Sequence, residues 1–586
     1  MACITANNEL EQKPWYRFYP QPIRSALKGY KLPEVPLYRL LESSAKYYPE
    51  STAVVYEPAN FLVTYKDLYT ICERFAAGLV HRFNIQKGDR VAIFSRNYPE
   101  FLIAMYGILM AGGTYVACNP ILTKDEVTYQ LADSESVLAI LSDDAESMFK
   151  EIVAEKKTSL KHVIVFDRDH GLRPAFMPKE PREAVPPFLP FMDVFSDASF
   201  EKPPIDPNTD LAGILYTAGT TGVPKGVMVT HYNAVSSCIL YYSTYTGTFP
   251  MLDQQNCLMC RNHPKDLTED WEFPIRYGID SAVAAAPWTH MMGYIAHMHC
   301  SIMAAITIFP VPEFNVEKVL QMIRRWKISF AGGAPQMMSM ILSRPDIEEQ
   351  DISSIRVWTT GGAPCPVAVG TAFEKRISGV ISEGYSLTEA TMSSTKNFSN
   401  RTATRKWGSI GLPLPFTDIK IVDTETGTKE MPVDTDGEII HNGPQVAIGY
   451  LNKPEETEAM LRDGWLYTGD IAQMDKDGFF RITGRKKDII IYKGYNIAPR
   501  MLEEVIYDHP GVFQCAVVGQ QDERAGEIPV AFVAPKENAT ITPEEIMAFV
   551  NEKVAGYKKL RKVLIIDKLP ISGFGKVLRK ELVKRL

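Results

Sequence analysis

The stretch best equipped for chemistry is Leu211-Ala-Gly-Ile-Leu-Tyr-Thr-Ala-Gly-Thr-Thr-Gly-Val-Pro-Lys-Gly226, an apolar strand that runs into small residues, hydroxyls and one lysine. Its glycines permit close backbone approach, Thr217, Thr220 and Thr221 supply hydroxyl donors, and Lys225 supplies mobile positive charge. Together they suit a nucleoside triphosphate. The run is not a Walker loop, because Gly219 and Gly222 do not bracket four residues before Gly-Lys-Ser/Thr. Taken alone it reads as readily as a plain turn. Four further blocks accompany it. Glu383-Gly-Tyr-Ser-Leu-Thr-Glu389 offers an aromatic ring, a hydroxyl and a carboxylate able to hold Mg²⁺. Tyr467-Thr-Gly-Asp470 puts a carboxylate at a tight turn, suited to ribose hydroxyls. Gly484-Arg-Lys-Lys-Asp488 opens a basic cluster, and Pro570-Ile-Ser-Gly-Phe-Gly-Lys576 carries a lysine on a glycine-flanked loop.

Elements that alternate strand and helix must position these groups. Arg90–Ser95, an apolar helix from Phe101, Thr114–Cys118, an amphipathic run near Lys124–Ala132 and Ser136–Leu141 follow the pattern of a parallel sheet wrapped by helices. Similar alternation recurs from Leu211 to about Ser386, whereas 411–450 breaks into short, turn-punctuated strands, predicting a small β lobe. Near the end, Thr542-Pro-Glu-Glu545 is a capping box that opens a helix through Val554. Strands near 512–519, 528–534 and 562–567 flank it, which predicts a compact α+β domain.

The chain has 586 residues, 45% hydrophobic and 23% charged, enough for several cores. A net charge of −7 gives no reason to expect nucleic acid. From Lys553 onward, however, eleven basic residues stand against Asp567 and Glu581, so that tail can face an anion. Nine scattered cysteines and no leader-like start predict a reduced, cytoplasmic protein. The apolar run Phe101–Cys118 is interrupted at Gly112-Gly113 and reads as a buried helix and strand; peripheral membrane contact stays open.

These five blocks, in this order, resemble the acyl-activating (adenylate-forming) superfamily, which includes acyl-CoA synthetases, luciferases and peptide-synthetase adenylation domains. The resemblance runs from about Pro36 to the C-terminus. It implies an α/β fold: a large N-terminal part (1–486) of two α/β subdomains plus the β lobe, and a small mobile α+β C-terminal lid (487–586). It also implies ATP-dependent conversion of a carboxylate to an acyl-adenylate, with loss of pyrophosphate, and then attack by the thiol of coenzyme A. Carried onto this sequence, Thr217, Ala218, Gly219, Thr220, Thr221, Gly222 and Lys225 would hold the triphosphate, and Glu389 with Thr217 would bind Mg²⁺. Gly361, Gly362, Ala363, Glu383, Gly384, Tyr385 and Ser386 would frame the adenine, and Thr388 would touch the α-phosphate. Asp470 and Arg485 would clasp the ribose. Lys576 would sit on the carboxylate and α-phosphate oxygens, His290 at the wall between acyl and nucleotide pockets, and Lys487 at the hinge. Lys493, Gly494 and Tyr495 would border the pantetheine path.

Departures from the family pattern are Ala218 and Ser386, and Ile491, where some relatives carry a lysine. The acid expected is a medium- to long-chain fatty acid, because Met291, Met292, the Phe330–Met338 run and Ile341 supply apolar, adaptable walls. Rivals are an aryl or short branched acid, the loading of a separate carrier protein, and a catalytically dead nucleotide-binding regulator; a homodimer is left open. The stretch 248–280 is longer than in most relatives. Its Cys257, Cys260 and His263 have the spacing of a partial zinc site without a second pair, so an ordinary loop over the acyl pocket is the preferred reading.

Overall fold

The computed structural model describes residues 10–168, 185–217, 223–493, 495–537, 539–571 and 577–586. Two large sheets carry the N-terminal part. In the eight-stranded sheet, Leu211–Thr217 lies beside Thr114–Cys118, and Arg90–Phe94, Leu138–Ser142, His162–Phe166 and Phe188–Pro190 follow in parallel. The nine-stranded sheet has a parallel centre in which Ser281–Ala284, Phe330–Gly333, Val357–Thr360 and Val380–Leu387 run side by side. Parallel strands covered on both faces need continuous apolar text, which these segments have. The helix Pro99–Met110 is buried along its whole length and packs between the sheets, as its all-round apolar sequence demands. No helix among the described residues is long and apolar enough to cross a membrane.

The third sheet differs from its expected bounds of 411–450. It is built from Asp418–Val422, Gly437–Asn442, Leu461–Arg462, Trp465–Met474 and Phe480–Arg485, all antiparallel. Leu412–Pro413 instead edges the nine-stranded sheet, and Gly449–Tyr450 adds to the eight-stranded one. Turn residues mark where a strand stops, whereas its partner is set by contacts far away in sequence. The start of the chain belongs to this lobe as well. Trp15, Tyr19, Ile23 and Leu27 are buried against Ile419, Ile439, Phe479 and Phe480, and the Tyr19 hydroxyl donates to the Pro413 carbonyl at 2.9 Å.

The C-terminal sheet pairs Val512–Asp522 with Gly526–Pro535 and adds Lys562–Ile565 in parallel. Thr542 caps the helix Pro543–Lys553 through a reciprocal box with Glu545, as its sequence predicts.

Candidate active site

Strand register brings the glycine blocks together. Thr360 lies opposite Glu383 in the parallel ladder, so Gly361 follows beside Gly384; a Cβ at Gly361 would stand 3.3 Å from the Gly384 carbonyl oxygen. A Cβ at Gly384 would come within 2.8 Å of the Thr395 oxygen, a contact only glycine avoids. Gly362 has φ +76° and open space around its Cα. These residues form a bare backbone shelf suited to a flat ring, with Ala363 continuing it. Glu383, at the rear, is buried and accepts from the Cys365 N–H at 3.1 Å; burial pushes its carboxyl up to about 7, opposed by that bond and by Arg500 of the C-terminal domain.

Asp470 is 3% exposed and is the charged centre of a second cluster. Arg485 Nε donates to its Oδ1 at 2.6 Å, and the Tyr385 hydroxyl donates to Oδ2. Asp470 and Arg485 face each other across an antiparallel pair, so the ion pair follows from register. The preceding turn is held by Thr468, whose hydroxyl bonds the Ile439 carbonyl at 2.7 Å and accepts from the Asp470 N–H, and by Gly469 at φ +70°. Buried Glu438 accepts from the Gly469 N–H at 2.9 Å and from Lys486 Nζ at 3.2 Å. The turn and Lys486 thus share one carboxylate.

Thr217 and Lys225 face each other as the last pair of a β-hairpin, where its two strands meet the connecting segment. Lys225 Nζ lies 5.0 Å from the Tyr450 ring centre and 4.0 Å from Glu456. Tyr450 donates its hydroxyl to Glu389 Oε1 at 2.7 Å. Glu389 sits in the single turn Thr388–Ala390, after which Thr391 and Met392 take φ of 41° and 90°. That unusual pair is anchored where Ser237 donates to the Thr391 carbonyl and the Ala447 N–H donates to the Glu389 carbonyl. A carboxylate with one oxygen already oriented, together with the Thr217 hydroxyl, makes a hard-oxygen donor set that fits Mg²⁺. His290 stands at the start of a buried π-helix, Gly293–His299, and its Nδ1 accepts from the Met292 N–H at 3.3 Å.

Residues 41–451 match the family model described as AMP-binding enzyme, and 501–576 match the AMP-binding enzyme C-terminal domain. The chain belongs to the AMP-binding enzyme family. A long-chain-fatty-acid–CoA ligase of Bacillus subtilis (strain 168) is 36% identical, over 98% of each chain. A 4-coumarate–CoA ligase 2 of Oryza sativa subsp. japonica is 31% identical, covering 96% of this chain and 95% of that one. Among solved structures, ATP-bound MatB from Rhodopseudomonas palustris superposes with a TM-score of 0.79 at 27% identity, over 94% of this chain and 99% of that one.

In this AMP-binding enzyme, Thr217 and Arg485 end strands and Lys225 begins one, Gly361–Ala363 follow the strand Val357–Thr360, Glu383–Ser386 and Asp470 lie within the strands Val380–Leu387 and Trp465–Met474, and Thr388 and Glu389 lie in the turn that follows Leu387. Ala218, Gly219, Thr220, Thr221, Gly222, Gly494 and Lys576 lie outside the described residues. Lys487 is exposed, next to Lys486. Lys493 and Tyr495 find their partners within the C-terminal domain: the Lys493 N–H donates to the Ala525 carbonyl, and Tyr495, 58% exposed, packs on the Tyr557 ring at 4.9 Å. Cys257 and Cys260 are buried, with Cys260 Sγ 3.7 Å from the Met303 carbonyl and its thiol pushed up to about 12 by burial; His263 caps a short helical turn. No group of three or more metal-ligating side chains occurs among the described residues. Trp271 in the same stretch is clamped between Arg356 and Arg401, at 4.5 and 4.2 Å. Sequence reasoning missed Tyr450 and Glu438. Tyr450 follows Gly449 in a turn-rich run, and only strand pairing with Val227 brings it to Glu389.

Proposed function

We propose that this chain is an AMP-forming acid–thiol ligase that activates a medium- to long-chain fatty acid and transfers it to coenzyme A. The observation that carries this reading is the pair of side-chain clusters Lys225–Tyr450–Glu389 and Tyr385–Asp470–Arg485, the first offering a lysine and a carboxylate suited to phosphates and their metal ion, the second a carboxylate at a turn suited to ribose hydroxyls. The long-chain-fatty-acid–CoA ligase relatives support the choice of acid.

In the first step a carboxylate oxygen attacks the α-phosphorus of ATP and the bond to the β-phosphate oxygen breaks, giving acyl-adenylate and pyrophosphate. Lys225 and the hydroxyls of its loop meet the charge of the leaving phosphates, and Thr388 and Lys576 meet charge on the α-phosphate. Glu389 and Thr217 would hold Mg²⁺, whose chemistry is neutralisation of phosphate charge. Tyr450 keeps one Glu389 oxygen oriented while leaving the other free for that task. Asp470 has lone pairs beyond those used by Arg485 and Tyr385 with which to accept ribose hydroxyls. In the second step the coenzyme A thiol loses its proton and attacks the acyl carbon, and AMP leaves. For that step the C-terminal domain, taken as 487–586, turns about Lys487, withdraws Lys576 and brings the Lys493–Tyr495 face inward. With eight free, buried cysteines among the described residues, the reduced cytoplasm is the compartment we assign.

The test is product analysis with purified protein, ATP, Mg²⁺ and acids of graded length, with and without coenzyme A. Pyrophosphate and AMP are expected, with thioester only when coenzyme A is present. ADP and inorganic phosphate would point to an acyl-phosphate route and overturn this mechanism.

A further inference from the structure

The buried helix His231–Thr246 lies against the nine-stranded sheet and turns Tyr241 and Tyr245 toward it. The Tyr241 hydroxyl bonds Thr359 Oγ1 at 2.8 Å, and the Tyr245 hydroxyl donates to that of Tyr241 at 2.8 Å. Tyr245 also packs on Phe330, ring centres 5.7 Å apart, at the wall expected to line the acyl chain. Between this helix and the Gly361–Gly384 shelf runs the buried strand Met392–Lys396, whose register against Gly384–Leu387 shifts at Ser394.

Lys396 is 1% exposed. Its ammonium stands 3.6 Å from the Tyr241 ring centre and 3.5 Å from that of Tyr245, so it rests on two π-faces. Both hydroxyls of those rings are engaged with each other and with Thr359. Among the described residues Lys396 Nζ has no hydrogen-bond acceptor and no carboxylate partner, and Ser394 Oγ, two residues earlier in the strand, is also buried without a partner. Burial with no opposing charge pushes the amine well below its ordinary value. A methionine would fill this volume without that cost, so packing does not explain a lysine here. Placement does. Lys396 pairs with Gly384 across the antiparallel ladder, one strand away from the shelf formed by Gly384 and Gly361, and Tyr241 is tied to Thr359, two residues before Gly361.

We propose that Lys396 is a specificity-determining residue of the acyl site, presenting a buried, unpartnered Nζ to a second carboxylate carried by the acid. The substrate class is then a fatty acid with a distal carboxylate. On binding, that carboxylate supplies the acceptor that Lys396 lacks and, as a counter-charge, stabilises the protonated amine. The inference rests on the ligase reading above.

The experiment compares matched pairs, octanoate with octanedioate and dodecanoate with dodecanedioate, in the full-length wild type and in Lys396→Met and Lys396→Arg, reading pyrophosphate release and thioester mass. For at least one pair the wild type should prefer the dicarboxylic acid by tenfold or more in kcat/KM. Lys396→Met should lose on the order of 100-fold with that acid while holding or gaining activity with the monocarboxylic one, and Lys396→Arg should retain part of the preference. A wild type that prefers the monocarboxylic acid at both lengths, or equal losses with both acids in Lys396→Met, would overturn the proposal. If Lys396→Met fails to fold, the wild-type preference together with Lys396→Arg still decides. Pyrophosphate release with no acid of either class would overturn the ligase reading itself, and this inference with it.

Discussion

The Asp470 turn and the helix-covered face around Lys396 use buried polar groups in opposite ways. At the turn each oxygen of Asp470 has a donor, and Glu438 is likewise filled by the Gly469 N–H and Lys486. Lys396 and Ser394 have no hydrogen-bond partner among the described residues. A prearranged network recognises a constant ligand at little reorganisation cost, whereas an unsatisfied donor gains its partner only when a particular ligand arrives. The contrast separates what the protein keeps constant, the nucleotide, from what it selects, the acid.

Removing a member of the paired network is the severest way to break that contrast. Asp470→Ala leaves Arg485 beside an empty, buried position, and losing one partner of a buried pair costs about 3–5 kcal/mol. Its kcat/KM for ATP should fall by on the order of 10³-fold, checked by initial rates at varied ATP; a fall below tenfold would mean that the pair serves folding alone. Lys576→Ala should lower acyl-adenylate formation by on the order of 10²-fold, comparable to the loss of one oxyanion donor, while thioester formation from supplied acyl-adenylate survives. Equal loss in both halves would make Lys576 structural. Lys487→Pro restricts φ at the hinge, so adenylation should persist while thioester formation drops severely; unimpaired turnover with coenzyme A would place the hinge elsewhere.

Two smaller effects sharpen the comparison. The Glu383 carboxyl rises from 4.5 unfolded to about 7 folded, so between those values the folded state holds a proton that the unfolded state has released. Stability should therefore decline as pH rises from about 4.5 to 7, and Glu383→Gln should flatten that part of the Tm profile. An unchanged profile would show that Glu383 is ionised throughout. Tyr450→Phe removes one hydrogen bond to Glu389, worth about 1 kcal/mol, or roughly a fivefold rise in the Mg²⁺ needed for half-maximal adenylation. No change in Mg²⁺ dependence would detach Tyr450 from the metal.

Part of this arrangement is legible in the amino-acid sequence, because Gly384, Asp470 and Arg485 sit in blocks whose residue types point to a ring, a carboxylate turn and a basic cluster, whereas Gly361 enters only through the family resemblance. Periodicity likewise marks the helix Pro99–Met110 and the capped helix Pro543–Lys553. What escapes is pairing at long range. Tyr450 is an unremarked tyrosine until its strand adds beside Val227, and Glu438 is one acid among many until the lobe closes around the Thr468–Asp470 turn. Lys396, in Met392-Ser-Ser-Thr-Lys396, carries no mark in the sequence; only the overlying helix buries its amine against Tyr241 and Tyr245. For the same reason the short strands near 411–450, of similar text, join three different sheets.

The docking of the first helical turns onto the lobe also has a consequence during synthesis. Arg17 meets Asp477 across 460 residues, and Trp15 and Tyr19 are buried against strands synthesised long after them. At roughly 5–20 residues per second a ribosome needs about 25–90 s to deliver those partners. For that interval the aromatic side chains of the nascent start are unsheltered, a natural target for chaperones. Fusions placed upstream of Trp15 should then depress soluble yield more than equal fusions after Leu586, because they burden the segment that must wait longest.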